Sequence, residues 1–145
     1  MKRLLLAASF LAFASITAQA DPIADREALM KTNGKIMGEL APIAKGEKPF
    51  DAAVVQAALT ALNENVQKLD VVALFPKGST SDKSTASPKI WENWDAFQGT
   101  ADKFKADVAA AAAAPPADLA ALQAAMGTIG NNCGTCHQNF RIKKD

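Results

Sequence analysis

Two cysteines and one histidine are present among the 145 residues, and all three fall between positions 133 and 137. The segment reads Cys133-Gly134-Thr135-Cys136-His137. Two thiols at this spacing can cycle as a redox pair, close a disulfide, share a metal ion, or add to the two vinyl groups of one porphyrin. A redox pair of the thioredoxin sort belongs at a strand-to-helix junction, whereas this one lies late in a helical pattern. A zinc site normally wants four ligands; this cluster supplies at most three, and no other Cys or His exists. A plain disulfide leaves the adjacent histidine unexplained. Haem attachment accounts for all three residues. The thiols reach neighbouring edges of one ring, and the histidine directly after the second thiol lies beneath the iron and coordinates it. The motif predicts one haem c per chain, covalently bound at Cys133 and Cys136, with His137 as the proximal iron ligand.

The elements that must hold such a ring are helical. Apolar residues recur at alternating spacings of three and four in four segments, the signature of a buried helix face. The first covers Pro22 to Ala44, along Ile23, Arg26, Met30, Asn33, Met37, Leu40 and Ala44. The second opens at Asp51, a favoured N-cap, and runs through Val55, Leu59, Leu62, Val66 and Leu69. The third opens at Ser87-Pro88, a cap followed by proline at the first helical position, and follows Ile90, Trp94, Phe97, Ala101, Phe104 and Val108. An alanine run from 109 to 114 extends it until Pro115-Pro116 stops it. The fourth runs along Leu119, Leu122, Met126, Ile129, Cys133, Cys136 and Phe140, so the haem-binding residues share its apolar line. Short links at 45–50 and at the double proline make neighbours antiparallel, whereas 71–87 is longer and rich in Ser, Thr, Gly and Lys. The fold class expected is all-α, an antiparallel up-down-up-down four-helix bundle with the haem between helices near its C-terminal end. Gly127, Gly130 and Gly134 each weaken the fourth helix by about 1 kcal/mol relative to alanine. They either admit a flat ring or another helix close to the backbone, or simply fray the helix.

The N-terminus reads as a secretory signal covering residues 1–20. Met1-Lys2-Arg3 is basic, Leu4 to Ala14 is apolar but too short to span a bilayer comfortably, and Ala18-Gln19-Ala20 suits signal peptidase. Residues 21–145 then form a single exported, periplasmic domain with no later stretch apolar enough to span. Removal of Lys2 and Arg3 leaves 14 basic residues against 15 acidic ones, a net charge of −1. Nothing in that balance suggests nucleic acid or an anionic membrane.

With these residues in view, the chain resembles the cytochrome c prime family, the class II c-type cytochromes. The resemblance spans the whole chain after the signal. It rests on the attachment motif lying near the C-terminus, in Cys-Gly-Thr-Cys-His-Gln-Asn-Phe-Arg, rather than near the N-terminus as in ordinary small c cytochromes. The stretches from Leu29 to Gly34, from Ile43 to Asp51 and from Ser87 to Trp91 are most similar to the low-spin branch, cytochrome c-556. The resemblance implies that the distal position lies on the first helix, four residues after an arginine. Arg26 is followed four residues later by Met30, so Met30 is the implied distal iron ligand. His/Met ligation would raise the reduction potential and keep the iron low-spin, as suits a one-electron carrier between partner proteins of a periplasmic chain. From spacing alone Met30 is as well read as core filler. The alternative function is a gas-binding protein whose distal site is vacant or whose Met30 yields to nitric oxide or carbon monoxide. An enzyme such as a peroxidase is disfavoured, because the only histidine is already assigned to the proximal side.

Other residues follow from the same resemblance. Arg26 either pairs with a haem propionate or forms a solvated salt bridge. Arg141, four residues after His137, either meets a propionate or, with Lys143 and Lys144, opposes the helix dipole. Trp91 is the aromatic residue expected to touch the ring, with Trp94, Phe97 and Phe104 in the core. Met37 and Met126 are expected to be core residues. The loop from Lys77 to Ala86 either gates the haem or merely connects. Relatives that dimerise through their first two helices leave monomer and homodimer equally open.

Overall fold

The computed structural model describes residues 21–82 and 84–143; the proposed signal segment lies outside them. Six helices order this region: α1 Pro22–Ala44, α2 Ala52–Val66, α3 Val71–Leu74, α4 Lys89–Glu92, α5 Trp94–Ala113 and α6 Leu119–Phe140. The four long ones close a ring, with α1 packed on α2, α2 on α5, α5 on α6, and α6 back on α1. Cross-helix hydrogen bonds show the antiparallel sense. Gln123 Nε2, early in α6, donates to the Ala44 carbonyl at the end of α1 at 2.9 Å. Asn65 Nδ2, at the end of α2, donates to the Leu29 carbonyl at 2.9 Å and to Asn33 Oδ1 at 2.8 Å, both in the first half of α1. This is the four-helix bundle that the apolar lines predict.

Aspartates start most of these helices by accepting backbone N–H groups that have no partner within the first turn. Asp51 Oδ1 takes Ala53 and Val54 N–H at 2.9 and 3.1 Å, and Asp21, Asp70 and Asp118 cap α1, α3 and α6 in the same manner. Leu40, Leu59, Leu62, Val66, Val108, Leu122 and Ile129 are sealed inside the ring. Between α1 and α2 the chain turns on Gly46, whose φ of 75° is one that side-chain-bearing residues rarely adopt.

Three expectations need correction. The third helix is not continuous from Ser87 to Ala114, because Asn93 (φ −130°, ψ 54°) breaks it into α4 and α5. The start is as expected: Pro88 already has helical angles, and Ser87 Oγ accepts the Lys89 N–H at 3.3 Å. Periodicity hid the break because Ile90 and Phe97 on either side of it are buried in the same core. The second helix stops at Val66 rather than Leu69, although Leu69 stays buried in the turn that follows. The long link contains α3, a single turn that buries Val71 and Leu74.

Candidate functional site

Helix α6 carries no charged Asp, Glu, Lys or Arg over its 22 residues. An uncharged helix loses little on facing an apolar ring, and its sequence line points Leu122, Ile129 and Phe140 inward. Cys133 and Cys136 sit half-buried beside that core and are not joined to each other. Burial pushes both thiols up, and Cys136, which also feels Cys133, rises to about 11. Redox nucleophiles of the thioredoxin type are held down, not up, so these shifts run against that chemistry. Among the described residues no group of three or more His, Cys, Asp or Glu could hold a metal ion.

His137 stands at the surface, one position beyond Cys136. Partial burial, and then the Arg141 cation, hold its pKa below the ordinary histidine value. Both effects favour the uncharged imidazole, the form that can bind a metal. Arg141 is the exposed residue that ends α6, and its N–H donates to the His137 carbonyl at 3.2 Å. A Cβ placed on Gly127, Gly130 or Gly134 would meet nothing within 4 Å. Among the described residues no helix crowds these glycines, so close helix packing there does not explain them. The flank of α6 beside the cysteines is open to a planar group. Two thiols, one imidazole and an uncrowded helix flank fit a covalently held haem.

The other candidate residues lie on neighbouring elements. Met30 is on α1, the helix that packs on α6, and is partly buried against the core cluster. Met37 and Met126 also pack at the edge of that cluster, as core residues do. One turn before Met30, Arg26 is only 4 % exposed. Burial lowers its pKa, an effect opposed by Glu27 and Asp21, but a guanidinium stays charged. Neither ion pair of the described residues includes it. Its terminal nitrogens bond instead to Leu74, Ser79 and Ser84. Trp91 on α4 is half-buried, and its Nε1 donates to the Phe75 carbonyl at 3.0 Å. The structure thus gathers Cys133, Cys136, His137 and Arg141 on α6. Met30 and Arg26 lie on α1, and Trp91 is joined to Arg26 through Phe75. Among the described residues no helix is long and apolar enough to cross a membrane.

A family profile described as cytochrome c' matches residues 21–141. The chain belongs to the cytochrome c' family. Its members are c-type cytochromes that carry covalently attached haem c and transfer electrons or bind gases. It is 47 % identical over 125 residues to cytochrome c-556 of Agrobacterium fabrum, covering 86 % of this chain and 84 % of that one. The structure of cytochrome c' from Rhodopseudomonas palustris superposes with a TM-score of 0.79 at 41 % identity, covering 88 % of this chain and 100 % of that one. A nitric oxide complex of a cytochrome c prime variant from Alcaligenes xylosoxidans superposes with a TM-score of 0.74 at 29 % identity, covering 84 % and 94 %. Haem attachment to this chain and membership of an electron-carrying family are settled by these matches together with Cys133 and Cys136.

Sequence reasoning passed over a second polar tie to α6. Asn132, buried and adjacent to Cys133, donates through Nδ2 to Asp107 Oδ2 on α5 at 2.6 Å. Lys103 Nζ lies 2.6 Å from the same oxygen. The only signal for it was a polar Asn next to the motif on an otherwise apolar stretch. The hydrogen bond from Lys103, then that from Asn132, hold the Asp107 carboxyl below its ordinary range. A carboxyl depressed by folding stabilises the fold above its unfolded pKa, near 4, and that contribution fades as pH falls through the lower folded value. Urea midpoints of wild type and Asp107→Asn should therefore differ most at neutral pH, begin to converge below about pH 4, and meet only below the lower folded value.

Proposed function

We propose that the chain is a periplasmic one-electron carrier whose haem iron is bound by His137 on one side and Met30 on the other. Residues 1–20 are the export signal in this reading, and residues 21–145 the working domain. The observation that carries it is the position of Met30, partly buried on the helix that neighbours the haem-bearing helix, one turn after a buried arginine. When bound, the haem supplies a one-electron iron couple. The chain's own residues set how that couple behaves. Cys133 and Cys136 fix the ring to α6. His137 would bind the iron through an imidazole nitrogen. Met30 offers a thioether, a soft and uncharged donor that favours the ferrous state and so raises the potential. Trp91, held by the Phe75 carbonyl, would supply the aromatic contact with the ring. Arg141, one turn beyond His137, would be a candidate to pair with a haem carboxylate. All four terminal N–H groups of Arg26 are used inside the protein, so only its Nε–H is left for such a carboxylate.

Agreement with cytochrome c-556 supports this branch. A second reading has its own support: a relative of the same fold has been solved with nitric oxide bound. In that reading Met30 packs beside the ring without binding iron, and the distal face takes small gases. The ferric absorption spectrum of the haem-loaded protein separates the two. A low-spin spectrum with the weak charge-transfer band of an iron–thioether bond is the expected result, and a high-spin spectrum selects the gas-binding reading.

A further inference from the structure

The loop from Lys77 to Ala86 had two open roles, gate or connector, and the bonding of residues 75–82 and 84–87 favours neither simple case. One end is held by α1. Arg26 Nη1 donates to the Leu74 carbonyl at 3.0 Å and to Ser79 Oγ at 2.9 Å, while Nη2 donates to the Ser79 carbonyl and to Ser84 Oγ, both at 2.6 Å. The guanidinium carbon also lies 4.9 Å from the centroid of the Phe75 ring, close enough for a cation–π attraction. The other end is held by the tail of α6. The Ser87 N–H donates to the Phe140 carbonyl at 2.9 Å, the Ile142 N–H to the Thr85 carbonyl at 2.8 Å, and Ala86 forms an isolated antiparallel bridge with Arg141. Beneath the strap, the Phe75, Phe97 and Phe140 rings stack edge to face at 4.8 and 5.2 Å, linking the same two ends through the core.

We propose that this strap sets how firmly Met30 is held on the iron side, with Arg26 as the positioning residue that transmits its grip. The inference deepens the preceding reading and rests on Met30 being the distal ligand. Arg26 and Met30 are four residues apart and so lie one above the other on α1. Within one helical turn the backbone is stiff, so a restraint at Arg26 acts on Met30. For an external ligand to replace the thioether, either the Met30 side chain must swing away or α1 must draw back from α6. The strap opposes the second route because it is anchored to both helices. Lifting it would strand a buried cation whose solvation comes from the strap's own carbonyls and hydroxyls, which makes partial release costly. The strap and the guanidinium therefore open together or not at all.

The test uses haem-loaded protein and carbon monoxide as the probe. Ser79→Ala with Ser84→Ala removes two acceptors and leaves the Arg26 charge in place. Ferrous protein carrying both substitutions should bind carbon monoxide about tenfold more tightly than wild type, equivalent to about 1.4 kcal/mol less restraint on the thioether. Threonine at both positions restores the hydroxyls and should restore the wild-type affinity, which a general loss of packing would not do. Should the double alanine variant fail to fold, Phe75→Leu weakens the same grip by removing the ring under the cation, and should raise the affinity by a smaller factor. Wild-type affinity in whichever of these variants folds, with a low-spin ferric spectrum, overturns the strap's role and leaves Met30 ligation intact. A high-spin wild-type spectrum overturns both, so the two failures are distinguishable.

Discussion

Protein purified after replacement of both Cys133 and Cys136 by serine should be colourless once treated with acidified acetone, whereas wild type keeps its pigment through the same treatment. Each thiol supplies one carbon–sulfur bond to the ring, with its hydrogen passing to the former vinyl group, and serine oxygen does not make that bond. The two bonds are equivalent in kind, so either single substitution leaves one link and the pigment still resists extraction. Only the pair removes it entirely. The half-burial of both thiols matters to this result. Burial pushes both thiols up from the ordinary cysteine value, the opposite of the shift that activates a redox nucleophile. Their local backbone is regular helix, which holds them one turn apart on adjacent parts of the same face. His137 follows on that turn, and its substitution by alanine leaves both thioether links intact. Colour loss under acid acetone thus reports on the cysteines alone.

How much of this was legible beforehand depended on the range of the interaction. The attachment motif needs only five consecutive residues, and the long helices announce themselves through repeats such as Val55, Leu59, Leu62 and Val66, all fully buried. The Asp51 cap acts two and three residues away and was equally visible. Single-turn elements were not. Val71–Leu74 offers one apolar pair, too little for a period, and Asn93 breaks a helix without disturbing the spacing on either side. Arg26 shows the limit best. A charge in an apolar line signals something unusual, but its acceptors lie 48 to 58 residues along the chain, in a loop whose composition looks like a plain linker. Sequence suggested a haem carboxylate or an acidic neighbour, and folding instead supplied backbone carbonyls and serine hydroxyls. The attachment motif and the long helices were therefore readable from local chemistry, while the setting of Arg26 depended on contacts that only the folded chain creates.

The largest change in behaviour is expected from Met30→Ala. If the thioether occupies the iron, alanine leaves the distal position without a protein ligand, and the ferric spectrum should pass from low-spin to high-spin with loss of the iron–thioether band. The reduction potential should fall, because the group that favoured the ferrous state is gone. Gas binding should move in the opposite direction. A protein whose own side chain fills the site must open before an external ligand binds, and the apparent affinity is reduced by the fraction that is open. An open fraction of about 1 % corresponds to a hundredfold tighter apparent affinity for carbon monoxide once Met30 is removed. Packing effects would not mimic this combination. Met30 is partly buried at the edge of the core, so truncation there also costs some stability, but a core cavity alone changes neither spin state nor potential in this coupled manner. Met37→Ala, on the same helix face and also at the core's edge, provides the matched control. It should lose comparable stability and leave the spectrum unchanged. An unaltered spectrum in Met30→Ala would assign the methionine to packing and return the distal face to the gases.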